Sequence, residues 1–311
     1  MNRKEGGANA PADVSASPPL RLLDGLRLLR PHQWAKNGLA LVPAALGHRV
    51  GEPGVLADVL LAVAALSLCA SGTYIVNDWL DRDRDRAHPT KRTRPLASGA
   101  VSPSLGLTLA VGLVGAAFAL AAATLPATFV GVLAAYTVVT LAYSLRLKRV
   151  AVLDVLVLAG LYALRLVAGG AATAVPVSAW LLAFSLFFFL ALALLKRYVE
   201  LRQMETGDAP SDNGRGYHAD DAAIVRGMGP ATGLLAVLVF ALYTTSPDVA
   251  ELYAHPDLLW LATPALVYWT LRMWLLAHRG RVHDDPVLFA VKDPASYAVA
   301  AVVAAVLWAA S

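Results

Sequence analysis

Charge is scarce in this sequence: 15% of its 311 residues are Asp, Glu, Lys or Arg, while 58% are hydrophobic. An ordinary soluble domain carries about 25% charged residues, so a water-facing globule is excluded. Cysteine is scarcer still. The single Cys69 cannot close an internal disulfide, and its apolar surroundings make it a small core residue. Residues 1–19 lack the apolar stretch of a secretory signal and read as a disordered tail of Gly, Ala, Pro and Ser. There is no inserted soluble domain and no internal repeat of about 20–50 residues. What is left, over residues 20–311, is an all-α polytopic membrane protein whose buried groups are judged against lipid. Its net charge of +4 would suggest nucleic acid in a soluble protein. Here the bias of Lys and Arg toward the cytoplasmic face accounts for it, and no nucleic acid is expected.

Residues 20–30 put leucines on one side and Arg21, Arg27 and Arg30 on another, the pattern of an interfacial helix. Nine apolar spans follow, at about 34–49, 55–80, 103–123, 126–145, 150–173, 178–199, 228–246, 257–278 and 294–311. Pro103, Pro126, Pro230, Pro256 and Pro294 stand near span starts, where a missing N–H costs little. Nearly all Lys and Arg lie in the N-terminal segment or in the loops near 81–102, 146–149, 200–227 and 279–293. The opposite loops hold Arg49 among Glu52, Asp248, Glu251 and Asp257. This asymmetry predicts a cytoplasmic N-terminus and an outward C-terminus in the plasma membrane. It also gathers the chemical groups on one face.

The densest cluster is Asn77-Asp78-Trp79-Leu80-Asp81-Arg82-Asp83-Arg84-Asp85-Arg86, followed by Lys91, Arg92 and Arg94. If the helix before it continues, Asp78, Asp81 and Asp85 share one face. Carboxylates so placed repel one another unless a cation sits among them. Hard oxygen ligands with basic neighbours describe a Mg²⁺–phosphate site better than a zinc or calcium cage. Lys91 and Arg94 are suited to gripping phosphate. A solvated flank of alternating charge is the bland alternative.

Four further clusters stand on the same face. Arg30-Pro31-His32-Gln33-Trp34-Ala35-Lys36-Asn37 opens the first span, with Trp34 as an interface anchor and Lys36 either at a cavity mouth or snorkelling. Tyr143 to Arg149 closes the fourth span, where Arg146, Lys148 and Arg149 meet substrate or lipid headgroups. Asp154, about one turn into the fifth span, needs a partner. Arg165 is about 16 Å away along the same helix, too far to serve, so substrate or Mg²⁺ is a candidate. Lys196-Arg197-Tyr198-Val199-Glu200 ends the sixth span, and Lys196 and Glu200 could pair at i, i+4. Last, His278 to Asp285 holds two His and two Asp, but in no common zinc spacing, and reads as a loop folding over the site.

NDWLDRDRD fits N-D-x-x-D-x-x-x-D, and KRTRPLASGAVS follows it. Together they resemble the UbiA superfamily of intramembrane prenyltransferases. The resemblance implies a nine-helix horseshoe-like bundle, with a membrane-open cavity where aspartate-rich motifs bind diphosphate through Mg²⁺. One departure matters. Prenyl-diphosphate users carry a second aspartate-rich motif near the end of the sixth span, where this chain has Lys196-Arg197-Tyr198-Val199-Glu200. That segment, the R-P-x-Q-W-x-K-N form and the late R-x-H-D-D-P are similar to the decaprenyl-phosphate phosphoribosyltransferase branch.

The branch resemblance implies a reaction: Mg²⁺-dependent transfer of 5-phosphoribosyl from phosphoribosyl pyrophosphate to a polyprenyl phosphate lipid. The product would serve cell-wall arabinan synthesis. On that reading Asp78, Asp81, Asp85 and Lys36 form the catalytic set, with Asn77, Asp78, Asp81 and Asp85 at the metal. Arg30, Gln33, Asn77, Lys91, Arg94, Tyr143, Lys148, Asp154, Lys196, Arg197 and Glu200 bind substrate. Membrane lipids are partners, and a homo-oligomer is compatible. An aromatic or quinone-precursor prenyltransferase of the same superfamily is one alternative. A lipid transporter or flippase is another, which would place essential charges on both faces.

Overall fold

The computed structural model describes residues 22–87, 90–207, 214–282 and 285–311. The tail at 1–19 and the pair His283-Asp284 lie outside them.

The described residues form helices and no strand. The amphipathic α1 (Leu22–Leu29) buries Leu28 against Ile75, Leu96 and Val101. Arg30 then takes a left-handed turn (φ 53°) into a 3₁₀ segment, Pro31–Leu41, which runs on into α2 (Val42–Leu46). The long α3 (Val55–Leu80) follows, then α4 (Arg82–Ala87), a 3₁₀ turn at Lys91–Thr93 and α5 (Pro95–Ser98). The bundle continues through α6 (Pro103–Thr124), α7 (Ala127–Leu145), α8 (Leu153–Thr173), α9 (Ala179–Glu205) and α10 (Ala222–Thr244). It closes with α11 (Pro247–Ala250), α12 (Ala262–His278), α13 (Pro286–Ala290) and α14 (Pro294–Ala310).

Among the described residues six helices, α3 and α6 to α10, are long and apolar enough to cross a membrane. The segments expected as the first, eighth and ninth spans are not among these six. The first is the 3₁₀ segment plus α2, and 3₁₀ geometry rises about 2.0 Å per residue. Its eleven residues therefore reach about 22 Å, and α2 adds most of the remainder of a bilayer core about 30 Å thick. The eighth joins a 3₁₀ turn at Pro256–Leu261 to α12, and the ninth is α14, with 17 residues. Pro230 is a correction: it lies inside α10, which starts eight residues before it at Ala222.

Packing gathers these helices around two apolar cores. One joins α8, α9 and α12 through Leu166, Leu195, Tyr198 and Met273. The other joins α3, α6, α7 and α8 through Leu66, Ala117, Leu133 and Ala168. Close approach decides where the 3₁₀ segment sits. A Cβ on Gly169 would lie 2.0 Å from the carbonyl oxygen of Ala40, so only glycine lets α8 meet that backbone. This contact fixes the strip that carries Lys36 and Asn37.

Candidate active site

The end of α3 is where the charges collect, but its helix does not continue. Asp81 caps it (φ −94°, ψ 1°), and its N–H bonds the carbonyl of Asn77 at 3.0 Å. The chain restarts as α4, whose residues are charged apart from a final alanine. The break lets Asp83 turn to solvent while Asp85 is buried. The expected single face of Asp78, Asp81 and Asp85 is therefore corrected. Asp78 and Asp85 stay together and Asp81 parts from them.

Both carboxylate oxygens of Asp78 accept from one nitrogen of Arg30, at 2.6 and 2.8 Å. Arg94 donates from a single nitrogen to Asp78 at 3.1 Å and to Asp85 at 2.6 Å. One positive centre thus already bridges the two buried carboxylates. That donor set suits Mg²⁺, which takes one or two carboxylates and completes its shell with phosphate oxygens and water. Among the described residues no three His, Cys, Asp or Glu converge into a ready-made cage.

Asp81 instead takes the Lys148 ammonium at 2.7 and 2.6 Å, and Lys148 also donates to Asn77 Oδ1 at 3.1 Å. Burial pulls the Lys148 pKa down, against the opposing pull of Asp81. Lys91 is lowered as well, first by burial and then by Arg215, with Glu200 opposing. Gln33 stands half-buried and gives its backbone N–H to the Arg30 carbonyl at 2.8 Å.

A second group lies where the 3₁₀ segment faces α8 and α9. Lys36 reaches Asp285 Oδ2 at 2.7 Å and sits 5.8 Å from the ring centre of Tyr162. Lys196 approaches the same oxygen at 3.5 Å. Burial alone would raise the Asp285 pKa, but Lys196 and Lys36 overcome it and hold it at about 2. Since the folded value lies below the ordinary carboxylate value of about 3.9, this contact stabilises the fold above about pH 4. It is lost as pH falls through about 2. The gap in thermal stability between the wild type and Asp285→Asn should therefore hold from pH 7 to 5 and narrow below about 4. A gap already closed at pH 5 would contradict the contact.

Asp154 and Arg197 form the most buried pair, at 2.6 Å with both side chains fully covered. Tyr217 donates to Asp154 at 2.8 Å and accepts the Val152 N–H at 2.9 Å. Arg197 also pairs with Glu200, which Arg215 approaches at 3.8 Å. Arg215 donates to the Tyr143 hydroxyl at 2.9 Å. Two expectations change. Asp154 has its partner in the protein, so it needs neither substrate nor metal. Lys196 and Glu200 do not pair with each other: Lys196 turns to Asp285, and Glu200 to Arg197 and Arg215.

Deeper in the bundle Arg165 donates to Asn37 at 2.9 Å, the Leu161 carbonyl at 2.6 Å and the Tyr136 hydroxyl at 2.9 Å. Asn37 in turn donates to Ser67 at 3.0 Å. Neutral oxygens and the rings of Tyr136 and Tyr162 therefore solvate this guanidinium.

Sequence reasoning passed over Arg215, Tyr217 and the tyrosines around Arg165. For Arg215 a signal existed: it lies between Gly214 and Gly216, both at positive φ, in a polar loop. The added Cβ of a larger residue at 216 would lie 2.4 Å from the Arg149 carbonyl oxygen, so the loop is pressed against the turn after α7.

The fold and this charged mouth define an all-α integral membrane protein with a transferase-like site at one end of its bundle. Residues 40–292 match the model of the UbiA prenyltransferase family, and the chain belongs to that family. A UbiA homolog from Archaeoglobus fulgidus bound to GPP and Mg²⁺ superposes with a TM-score of 0.67 at 17% identity, covering 91% of this chain and 99% of the other. The nodulation protein NoeC of Azorhizobium caulinodans is 36% identical over 267 residues, 86% of each chain. The uncharacterized protein y4nM of Sinorhizobium fredii is 38% identical over 282 residues, 90% of this chain but 54% of that protein's length. A decaprenyl-phosphate phosphoribosyltransferase of Mycobacterium tuberculosis is 41% identical over 203 residues, 63% of this chain and 67% of the relative.

Proposed function

We propose that this chain transfers 5-phosphoribosyl from phosphoribosyl pyrophosphate to a polyprenyl phosphate, with Mg²⁺ and with release of pyrophosphate. The end of α9 carries the reading. A two-motif prenyl-diphosphate cradle would have paired carboxylates there, whereas this chain offers Lys196 with an Arg197–Glu200–Arg215 group. Arg30, Lys36, Lys91, Arg94, Lys148, Lys196, Arg197 and Arg215 outnumber Asp78, Asp81, Asp85, Asp154, Glu200 and Asp285 at this mouth. Such an excess suits a donor with a diphosphate and a separate 5-phosphate beside a phosphorylated acceptor. The name of the mycobacterial relative supports the same reaction.

In this account Asp78 and Asp85 hold the metal, which offsets charge on the leaving pyrophosphate when bound. Arg30 and Arg94 leave their carboxylates for phosphate oxygens, and bidentate geometry orients the donor. Lys148 keeps Asp81 and Asn77 in place beside them. The C1–oxygen bond breaks with its electron pair leaving on pyrophosphate, and an oxygen of the lipid phosphate bonds to C1. That oxygen is already ionised near neutral pH, so no proton has to be removed. Lys36 and Lys196 hold the two phosphates close, a proximity contribution. The mouth faces the cytoplasm of a plasma-membrane protein, in keeping with the Lys and Arg asymmetry.

Membership of the UbiA prenyltransferase family keeps a second reading, transfer of a prenyl group from its diphosphate to an aromatic acceptor. The two separate on ligand binding. Phosphoribosyl pyrophosphate with Mg²⁺ should raise the thermal unfolding temperature of the purified protein by several degrees, and geranyl diphosphate should do so less. The reverse order would favour prenyl transfer.

A further inference from the structure

One carboxylate oxygen is shared by two lysines at the meeting of the 3₁₀ segment, α9 and the start of α13. Asp285 Oδ2 lies 2.7 Å from Lys36 and 3.5 Å from Lys196, so the second ammonium has only a long contact. Lys36 is nearly covered and is held beside the Tyr162 ring, which keeps it from swinging to water. The other oxygen of Asp285 is engaged elsewhere, accepting the Val287 N–H at 2.9 Å at the start of α13. The carboxylate therefore satisfies two cations incompletely, one nearly covered at Lys36 and one partly exposed at Lys196. A phosphate monoester, with three terminal oxygens and up to two charges, could meet both at full strength. Asp285 is tied to the bundle by this contact and by Val287, Phe289 and Ala290, which pack on the core around α9.

We propose that Lys36 and Lys196 form a phosphate-monoester site, that the Asp285 carboxylate fills it at rest, and that an arriving monoester displaces Asp285 and frees α13 from α9. The monoester comes either from the lipid acceptor or from the 5-phosphate of the donor sugar, and this assignment alone rests on the function proposed above. The contact is intramolecular, so the incoming ligand must outcompete a carboxylate at high effective concentration. Removing the carboxyl charge should then tighten monoester binding.

Thiol labelling tests this without depending on turnover, because the single native cysteine, Cys69, is buried. In a Cys69→Ala background, Val287→Cys reports the docked segment, and Val291→Cys, at a position 50% exposed, gives the rate of an open thiol. Val287→Cys should react about tenfold slower than Val291→Cys and should speed up severalfold with dodecyl phosphate. Adding Lys36→Met should make it react fast without ligand. Adding Asp285→Asn should do the same and lower the dodecyl phosphate concentration needed for half-saturation in a direct binding measurement. Acceleration by ribose 5-phosphate in place of dodecyl phosphate would support the site and assign it to the donor. A labelling rate indifferent to both monoesters, or Asp285→Asn binding dodecyl phosphate more weakly than the wild type, would overturn the proposal. If labelling responds while phosphoribosyl transfer fails, the site stands and the proposed reaction falls. The opposite pattern removes the site and leaves the reaction.

Discussion

Asp78→Asn and Asp85→Asn should each lower turnover by about 10³-fold or more with the fold retained, and Asp81→Asn by only about 10- to 100-fold. The split follows from the break at Asp81. Asp78 and Asp85 face a common positive centre on Arg94, where a divalent cation with phosphate oxygens would bind. Asp81 faces Lys148 and acts on the site through it and Asn77. The side chains differ in cost for a further reason. Asn keeps the shape of Asp but removes the charge that a hard cation requires. Steady-state rates across a Mg²⁺ titration check the prediction: the two strong variants should also need more metal for half-activity. Equal losses in all three would mean that the carboxylates converge on the metal after all. Full activity in Asp85→Asn would remove it from the metal.

Arg197→Met should destabilise the protein by about 3–5 kcal/mol, because it leaves the fully covered Asp154 carboxyl without its ion-pair partner. The double change Arg197→Met with Asp154→Leu should recover most of that loss, since both charges leave together. Tyr217 would then lose its acceptor, so recovery should be incomplete. Unfolding in detergent or bicelles measures both variants. The alternative is that Asp154 binds substrate. It predicts that Asp154→Asn folds at wild-type stability and fails only in turnover, and that pattern would reject the structural role.

Six of the nine expected spans and the first charged cluster were legible in the sequence because both are local. A run from Val55 to Val76 without a charge other than Asp58 can do little but cross lipid, and Asp78 and Asp85 stay close enough in sequence to share one cation. What local spacing could not convey was the turn at Asp81, since an acid–base alternation looks the same on a continued helix and on a broken one. Distance along the chain hid the rest. Lys36 meets Asp285 across 249 positions, and Arg197 meets Asp154 across 43. Nothing in the neighbourhood of either residue announces its partner. The i, i+4 spacing of Lys196 and Glu200 pointed to a pair with each other, but Lys196 turns to Asp285 of a distant segment, while Glu200 pairs with Arg197 three residues earlier on the same helix and meets Arg215. The 3₁₀ winding of Pro31–Leu41 was equally hidden, because its hydrophobic pattern is short and its register is imposed by the close contact of Ala40 with Gly169.

The central claim is that the diphosphate handled at this mouth belongs to a sugar. Its most direct test gives the purified protein phosphoribosyl pyrophosphate labelled in the ribose, Mg²⁺ and a polyprenyl phosphate, and follows label into the lipid fraction together with pyrophosphate release. The account predicts label in a lipid product, one pyrophosphate per labelled lipid, and loss of both when the acceptor's phosphate is removed. No labelled lipid, alongside turnover of a prenyl diphosphate with an aromatic acceptor, would contradict it.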